Sequence, residues 1–183
     1  MVDILFFDRD GDVTAALSHS GYRTFTGEVC DVVATAVVSP ANSFGFMDGG
    51  IDYAYSQLFG WGVQERLIEE LRKRPFGELL VGEALAIETN HRIPWVISAP
   101  TMRVPKRIVD PADVMLATRA AVKLASDIGM ETIAIPGMGT GCGALHPTVA
   151  AKAMLAGVVA ALSPVHRPSS WQEAQLRHFQ LEG

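Results

Sequence analysis

The sequence predicts a three-layer α/β/α sandwich, with helices on both faces of a mixed, largely parallel sheet. Strand-like and helix-like segments alternate through most of the chain, and the strand-like segments carry apolar residues consecutively. Consecutive apolar residues are typical of a strand buried on both faces. Two glycine-rich loops each follow such a strand and precede a helix. The length of 183 residues fits one compact domain, residues 1–183.

The first elements of the chain are predicted as strand, helix, strand and strand. Residues 3–8, DILFFD, and 22–29, YRTFTGEV, are typical of strands, and a short helix is expected near 12–19. Residues 31–38, DVVATAVV, are apolar and β-branched and predict a third strand. This strand leads directly into the first glycine-rich loop, SPANSFGFMDGGID, at 39–52.

Helices and strands continue to alternate after this loop. Residues 51–74 have a helical pattern, which the GWG at 60–62 is expected to divide. Asp110 and Pro111 form an N-cap and first-turn pair for a helix that runs to Gly129. The other predicted elements are strands at 84–89 and 95–100 and a helix at about 147–162. The segment TIAIPGMGTGCGAL, at 132–145, is predicted as a buried strand that opens into the second glycine-rich loop.

The C-terminal segment, residues 164–183, is predicted to add one terminal helix. Ser170 and Glu173 have the spacing of a capping box at its start. We expect the apolar side of this helix to pack on its own domain rather than on a partner.

The composition argues against several classes of function. The formal net charge of -5 argues against binding nucleic acid through a surface rich in Lys and Arg. No apolar run reaches the roughly 20 residues that a membrane-spanning helix requires. Two cysteines and an acidic start, MVDILFFDRDGD, predict a soluble protein of the reducing cytoplasm rather than a disulfide-stabilised secreted one.

The two glycine-rich loops are the main candidates for a ligand site. Ligands in α/β sheets bind at the carboxyl ends of strands, and closely spaced glycines allow backbone N–H groups to surround a phosphate. The lysine-containing loop of nucleoside triphosphatases is missing, and GTGCGA at 139–144 lacks the later acid of a dinucleotide site. Asn42, Asp48 and Asp52 could bind sugar hydroxyls, which indicates a ligand with both sugar and phosphate. The alternative is that both loops are simple tight turns.

Metal binding and cysteine chemistry have weaker support. The spacing of the histidines and cysteines fits no metal site, so we predict none. Cys142 and His146 are a conceivable Cys-His pair. A small residue in a turn is the simpler explanation of Cys142, because no third orienting group is apparent.

Six segments of residues 22–160 form a recognisable set: TGEV at 26–29, VVSPAN at 37–42, DGGID at 48–52, VGEALAIET at 81–89, VISAPTMRVP at 96–105 and PGMGTGCGAL at 136–145. Through these segments the chain resembles the macro domain family, whose members bind ADP-ribose and some of which hydrolyse ADP-ribose linkages. The resemblance also implies the sandwich fold.

The resemblance assigns ligand contacts residue by residue. Glu28, followed by Val29, stands where the family usually has the Asp that accepts from the adenine amino group. Asn42 matches the Asn that contacts the ribose beside the hydrolysable bond, and Ser39 replaces the first Asn of that motif. The residues that match the two loops along the diphosphate are Gly49, Gly50 and Ile51 in the first and Gly139, Thr140, Gly141, Cys142 and Gly143 in the second.

Asp52 is the candidate catalyst that the resemblance implies. In hydrolases of the MacroD type, an Asp at this distance after the motif Asn is proposed to activate a water for attack at the anomeric carbon. Met47 and Asp48 stand where that motif has its first two glycines, and Tyr53 replaces a small residue. The alternative for Asp52 is an acid in a first helical turn, stabilised by the helix dipole.

The expected function is therefore binding of ADP-ribose or a close derivative, without a cofactor. One alternative is hydrolysis of ADP-ribosyl esters, in mono-ADP-ribosylated protein or O-acyl-ADP-ribose, with Asn42 and Asp52 as the catalytic residues. Another is a structural or regulatory protein that kept the fold and lost the ligand. A cleft filled by Tyr53 or Phe46 would favour that last alternative.

Overall fold

The computed structural model describes residues 2–164 and 167–180, in which six strands form one sheet. Every neighbouring pair in this sheet is parallel except β4 and β5, which confirms the predicted mixed, largely parallel sheet. Along the chain, the strands are β1 (Asp3–Asp8), β2 (Arg23–Thr26), β3 (Ala36–Ser39), β4 (Leu85–Glu88), β5 (Trp95–Ser98) and β6 (Thr132–Pro136). Across the sheet, they lie in the order β2-β1-β6-β3-β5-β4.

Helices cover both faces of the sheet, as predicted. They are α1 (Gly11–Leu17), α2 (Gly50–Phe59), α3 (Gly62–Arg72), α4 (Ala112–Asp127), α5 (Pro147–Leu162) and α6 (Trp171–Phe179). Alternate residues of β1 show the two layers: Phe6 packs in a core with α1, α4 and α5, whereas Phe7 packs in a second core with α2 and α3. Within residues 2–164 and 167–180, none of the helices has the length and apolar character to cross a membrane.

The second predicted strand is shorter than its pattern suggested. β2 ends at Thr26, and a short 3-10 helix follows at Val29–Asp31. Glu28 therefore lies in the loop between them, beyond the end of the sheet.

The third strand begins later than predicted, at Ala36 instead of residue 31. The guanidinium of Arg92 donates to the carbonyls of Cys30 and Val32, with a distance of 2.7 Å for Val32. These carbonyls are thus bonded to a side chain rather than to a neighbouring strand. An apolar, β-branched run alone could not reveal this long-range contact.

The helix boundaries follow the predicted signals closely. The division at GWG is confirmed, since α2 ends before Gly60, whose φ of +81° breaks the helix. Asp110 Oδ1 accepts from the backbone N–H of Ala112 at 2.8 Å, and the helix starts at Ala112. Pro111 is therefore the N-cap residue, one position before the first-turn position predicted for it.

The terminal helix forms at its predicted cap but does not pack as expected. Ser170 Oγ accepts from the N–H of Glu173 at 3.2 Å, while the Glu173 carboxylate binds Ser169. No residue of α6 is buried, and its large apolar side chains, of which Trp171 is 75% exposed, face outward. The expectation of an apolar side packed on the domain is therefore not met.

Candidate ligand-binding cleft

An open cleft of about 580 Å³ lies at the carboxyl edge of β1, β3 and β6. Since these strands are parallel, the loops that follow them meet at one edge. Every residue predicted for the site lines this cleft: Glu28, Val29, Asn42, Gly49, Gly50, Ile51, Asp52, Gly139, Thr140, Gly141, Cys142 and Gly143. Their individual roles toward a ligand remain predictions.

The second glycine-rich loop, residues 137–145, is a compact turn held by its own backbone. Leu145 N–H donates to Gly139 O at 3.1 Å, and Ala144 N–H donates to Gly141 O at 2.9 Å. Gly139 has a φ of +81°, and a Cβ there would lie 2.7 Å from Val114 Cγ2. At Gly141, by contrast, a Cβ would meet no heavy atom within 4 Å. One glycine therefore serves the turn, and the other faces open space.

Both loops present backbone donors that the fold itself does not use. The N–H groups of residues 139–143 donate to no acceptor in residues 2–164 and 167–180. The same holds for the N–H groups of residues 48–52, at the start of α2, within the described chain. Unused N–H groups at a helix start and in a glycine-rich turn are suited to binding an anion.

The side chain of Asn42 organises the first loop. Its Oδ1 accepts from the N–H of Phe44 at 3.0 Å and of Phe46 at 3.4 Å, and its Nδ2 donates to Phe46 O at 2.8 Å. An amide nitrogen carries two hydrogens, so one N–H of Asn42 remains for a ligand. The sequence had assigned Asn42 to the ligand alone, and this bonding to the loop was not foreseen.

Met47, in the first loop, is a core residue of this chain. Its side chain is fully buried against α2 and α3. Its N–H donates to Gln64 Oε1 at 2.6 Å, and its carbonyl accepts from Ser56 Oγ at 2.8 Å. Met47 thus fixes the loop to both helices, just before the glycines that line the cleft.

Asp52, in the first turn of α2, is buried and lines the cleft. Its Oδ1 accepts a hydrogen bond of 2.6 Å from Ser39 Oγ. Burial raises the pKa of Asp52 to about 7, although the hydrogen bond from Ser39 opposes this rise. Burial and the nearby Asp52 carboxylate also raise the pKa of Tyr55 well above its usual value. A carboxyl group with a pKa near neutrality can accept a proton at physiological pH.

The lining also carries a loose ion pair and an acid that the sequence did not single out. Arg9 Nη1 lies 3.5 Å from Glu28 Oε1, and both side chains are largely exposed. The carboxylate of Asp8 accepts from the N–H groups of Asp10 at 2.9 Å and Gly137 at 3.0 Å. Asp8 thereby fixes the start of the second loop. In the sequence, only its position at the end of a buried strand indicated that Asp8 could lie at the site.

Aromatic side chains border the cleft without filling it. Phe46 and Tyr53 line it, and they are 55% and 48% exposed. The ring of Tyr53 meets that of Trp61 edge-on, with a centroid distance of 6.2 Å. The cleft is open, so the filled cleft that would have favoured a protein that kept the fold and lost the ligand is not observed.

Cys142 lines the cleft, but its candidate partner is bonded elsewhere. His146 Nδ1 accepts from the N–H of Thr148 at 3.4 Å and lies 2.9 Å from Thr148 Oγ1, so it caps α5. This arrangement favours the turn explanation for Cys142. Within the described residues, no group of three or more His, Cys, Asp or Glu side chains could hold a metal ion.

Comparison with solved structures shows the same fold. The Oceanobacillus iheyensis macrodomain with a glycine-to-valine substitution, solved with ADPR, has a TM-score of 0.65 and 17% identity, over 85% of this chain and 89% of that one. The same macrodomain with ADP has a TM-score of 0.63 and 18% identity, over 85% of this chain and 87% of that one. The macrodomain of Mycobacterium tuberculosis DarG has a TM-score of 0.61 and 18% identity, over 75% of this chain and 89% of that one.

Sequence comparison identifies the family. An uncharacterized protein of Aquifex aeolicus is 38% identical over 134 residues, which are 73% of this chain and 78% of that protein. An uncharacterized protein of Aeropyrum pernix is 40% identical over 121 residues, 65% of this chain and 60% of that protein. The family described as Macro domain matches residues 38–154. The chain therefore belongs to the macro domain family, whose members bind ADP-ribose.

Proposed function

We propose that this chain binds ADP-ribose, or a close derivative of it, in the cleft between its two glycine-rich loops. The observation that carries the proposal is the pair of backbone segments, residues 48–52 and 139–143, whose N–H groups have no acceptor within the described chain and border one cleft. A diphosphate carries the anionic oxygens that such donors bind. Related macrodomains solved with ADPR and with ADP support this ligand class.

The charges along the cleft favour recognition by backbone groups over recognition by cations. Of the described residues that line it, Arg9 is the only Lys or Arg, whereas four are acids: Asp8, Glu28, Asp48 and Asp52. N–H donors can bind phosphate without a cation, and acids can accept from sugar hydroxyls or a base amino group. We assign the diphosphate to the two loops, the distal ribose to the free N–H of Asn42, and adenine to Glu28 and Val29.

Calorimetric titration of the full chain with ADP-ribose tests the binding proposal. Gly141→Glu should abolish binding, because it places a carboxylate among the phosphate donors at a position with room for a side chain. Gly11→Glu is the matched control, since Gly11 also has open space and lies at the start of α1, outside the cleft lining. No detectable heat from the wild type at millimolar ADP-ribose would refute the proposal.

Hydrolysis of ADP-ribosyl esters is a second candidate function, favoured by the burial of Asp52 and its pKa of about 7. In this reaction a water oxygen bonds to the anomeric carbon of the distal ribose, and the bond from that carbon to the ester oxygen breaks. The ester group departs as a carboxylate, and the water proton passes to Asp52. Only the ionised Asp52 can accept this proton, so the rate should rise with pH up to about 7 and then level off.

Incubation with mono-ADP-ribosylated protein and with O-acyl-ADP-ribose tests the catalytic candidate. The wild type should release ADP-ribose, and Asp52→Ala should slow the release by about 100-fold or more, the usual contribution of a positioned base. Release by Asp52→Ala at the wild-type rate would exclude Asp52 as the base. Absence of release by the wild type, with ADP-ribose binding intact, would leave a binding protein.

A further inference from the structure

Ser39 and Asp52 meet across the boundary between the sheet and α2. Ser39 is the last residue of β3 and lies on the same strand face as Val37, which packs in the core with α2 and α3. Its Oγ lies 2.6 Å from Asp52 Oδ1. Ser39 is fully buried and Asp52 is 8% exposed, so solvent competes little for this hydrogen bond.

This hydrogen bond divides the Asp52 carboxylate into two different oxygens. Oδ1 is occupied by Ser39, whereas Oδ2 receives no hydrogen bond from residues 2–164 and 167–180. Asp52 also lines the cleft. Oδ2 is therefore the oxygen left for a ribose hydroxyl or a water.

We propose that Ser39 is a positioning residue, which holds Asp52 Oδ1 by a hydrogen bond so that Oδ2 accepts from the ligand or a water in the cleft. This rests on the proposed function of the cleft, and it gives a role to Ser39, which stands where the family motif has an Asn. The Ser39 hydroxyl would also stabilise the ionised form of Asp52, because a hydrogen bond donated to a carboxylate favours its charge. Tyr55 on α2 is a described titratable group whose pKa the Asp52 carboxylate raises, and its hydroxyl donates to Val38 O. Asp8, at the end of β1, raises the pKa of Tyr55 as well.

The neighbouring strand offers a matched control. Ser98 ends β5, pairs in register with Ser39, and is 1% exposed. Its Oγ has no hydrogen-bond partner in the described chain. Ser98→Ala therefore removes a buried hydroxyl of the same kind, next to Ser39, without removing a bond to Asp52.

The test follows the ionisation of Asp52 in the full chain by NMR, using ¹³C-labelled aspartate carboxyl groups, with the Asp52 signal assigned through Asp52→Asn. Ser39→Ala should move the Asp52 midpoint upward by about one pH unit, the size expected for loss of a hydrogen bond to a charged group. Ser39→Thr should keep the Asp52 midpoint close to that of the wild type, because it keeps the hydroxyl. Ser39→Cys, a weaker donor of similar size, should shift it in the same direction as Ser39→Ala. Ser98→Ala should leave it unchanged.

Kinetics supply a second readout. If the chain hydrolyses ADP-ribosyl esters, Ser39→Ala should lower kcat and move the rising limb of the pH profile upward, while KM stays close to that of the wild type. An unchanged Asp52 midpoint in folded Ser39→Ala, or an equal shift in Ser98→Ala, would overturn the proposal. The NMR titration needs no turnover, so absence of hydrolysis would exclude the enzyme candidate without deciding the role of Ser39.

Discussion

Asn42 and Phe46 are joined by two hydrogen bonds: the Asn42 amide donates to the Phe46 carbonyl at 2.8 Å and accepts from the Phe46 N–H at 3.4 Å. The side chain of Asn42 thus fixes the backbone of the first loop shortly before the cleft glycines. The position of Gly49 and Gly50 consequently depends on Asn42 as well as on the helix that follows them.

Asn42→Ala should lower both stability and ligand affinity. It removes the acceptor of the Phe44 and Phe46 N–H groups and the donor to the Phe46 carbonyl, which we expect to cost about 1–3 kcal/mol in the free energy of unfolding. Denaturant unfolding and calorimetry with ADP-ribose measure the two effects. Asn42→Asp keeps the acceptor and should lose less stability. Full affinity in Asn42→Ala would show that this loop does not position the ligand.

Gly139 and Gly141 should respond differently to the same substitution. Gly139→Ala places a Cβ 2.7 Å from Val114 Cγ2 at a φ of +81°, so it should destabilise the fold by about 1–3 kcal/mol. Gly141→Ala meets open space and should change stability by less than about 0.5 kcal/mol. Urea midpoints measure both values. Equal stability of the two variants would contradict the division between a turn glycine and a cleft glycine.

Asp52→Asn should stabilise the protein at neutral and alkaline pH. The pKa of Asp52 is raised from 3.8 to about 7 by burial, so between these values the folded state keeps a proton that the unfolded state loses. Stability of the wild type is then highest below about pH 4 with respect to this group, falls as pH rises to 7, and stays low above it. The full difference corresponds to about 4 kcal/mol at most.

The measurement compares the free energy of unfolding of wild type and Asp52→Asn at pH 5, 7 and 8.5. The gain from the substitution should grow with pH up to about 7 and then level off, because an amide does not titrate and can still accept from Ser39. A gain that is the same at all three pH values would show that burial does not raise the pKa of this carboxyl group. The expected gain, which grows with pH, would agree with the common trade between stability and a functional site.

Most of the fold and the location of the cleft could be predicted from local signals. Caps such as Ser170, the break at Gly60 and the apolar strands are encoded by neighbouring residues, and parallel strands bring the loops after β3 and β6 to one edge. Two features that the sequence did not reveal depend on contacts distant in sequence. Arg92 binds carbonyls that a strand was expected to use, and Ser39 meets Asp52 only after the sheet and α2 have packed. Such contacts have no periodic pattern in the sequence.

Glu28→Ala should test base recognition with little effect on stability. Its ion pair with Arg9 spans 3.5 Å between exposed side chains, so its loss should cost less than about 0.5 kcal/mol. If Glu28 accepts from the adenine amino group, the variant should bind ADP-ribose about tenfold more weakly, the size of a hydrogen bond to a charged group. Binding of the hypoxanthine analogue, which lacks that amino group, should change little. Arg9→Gln, which breaks the ion pair and keeps the acid, should retain the preference for adenine. Equal weakening of both ligands by Glu28→Ala would place adenine elsewhere in the cleft.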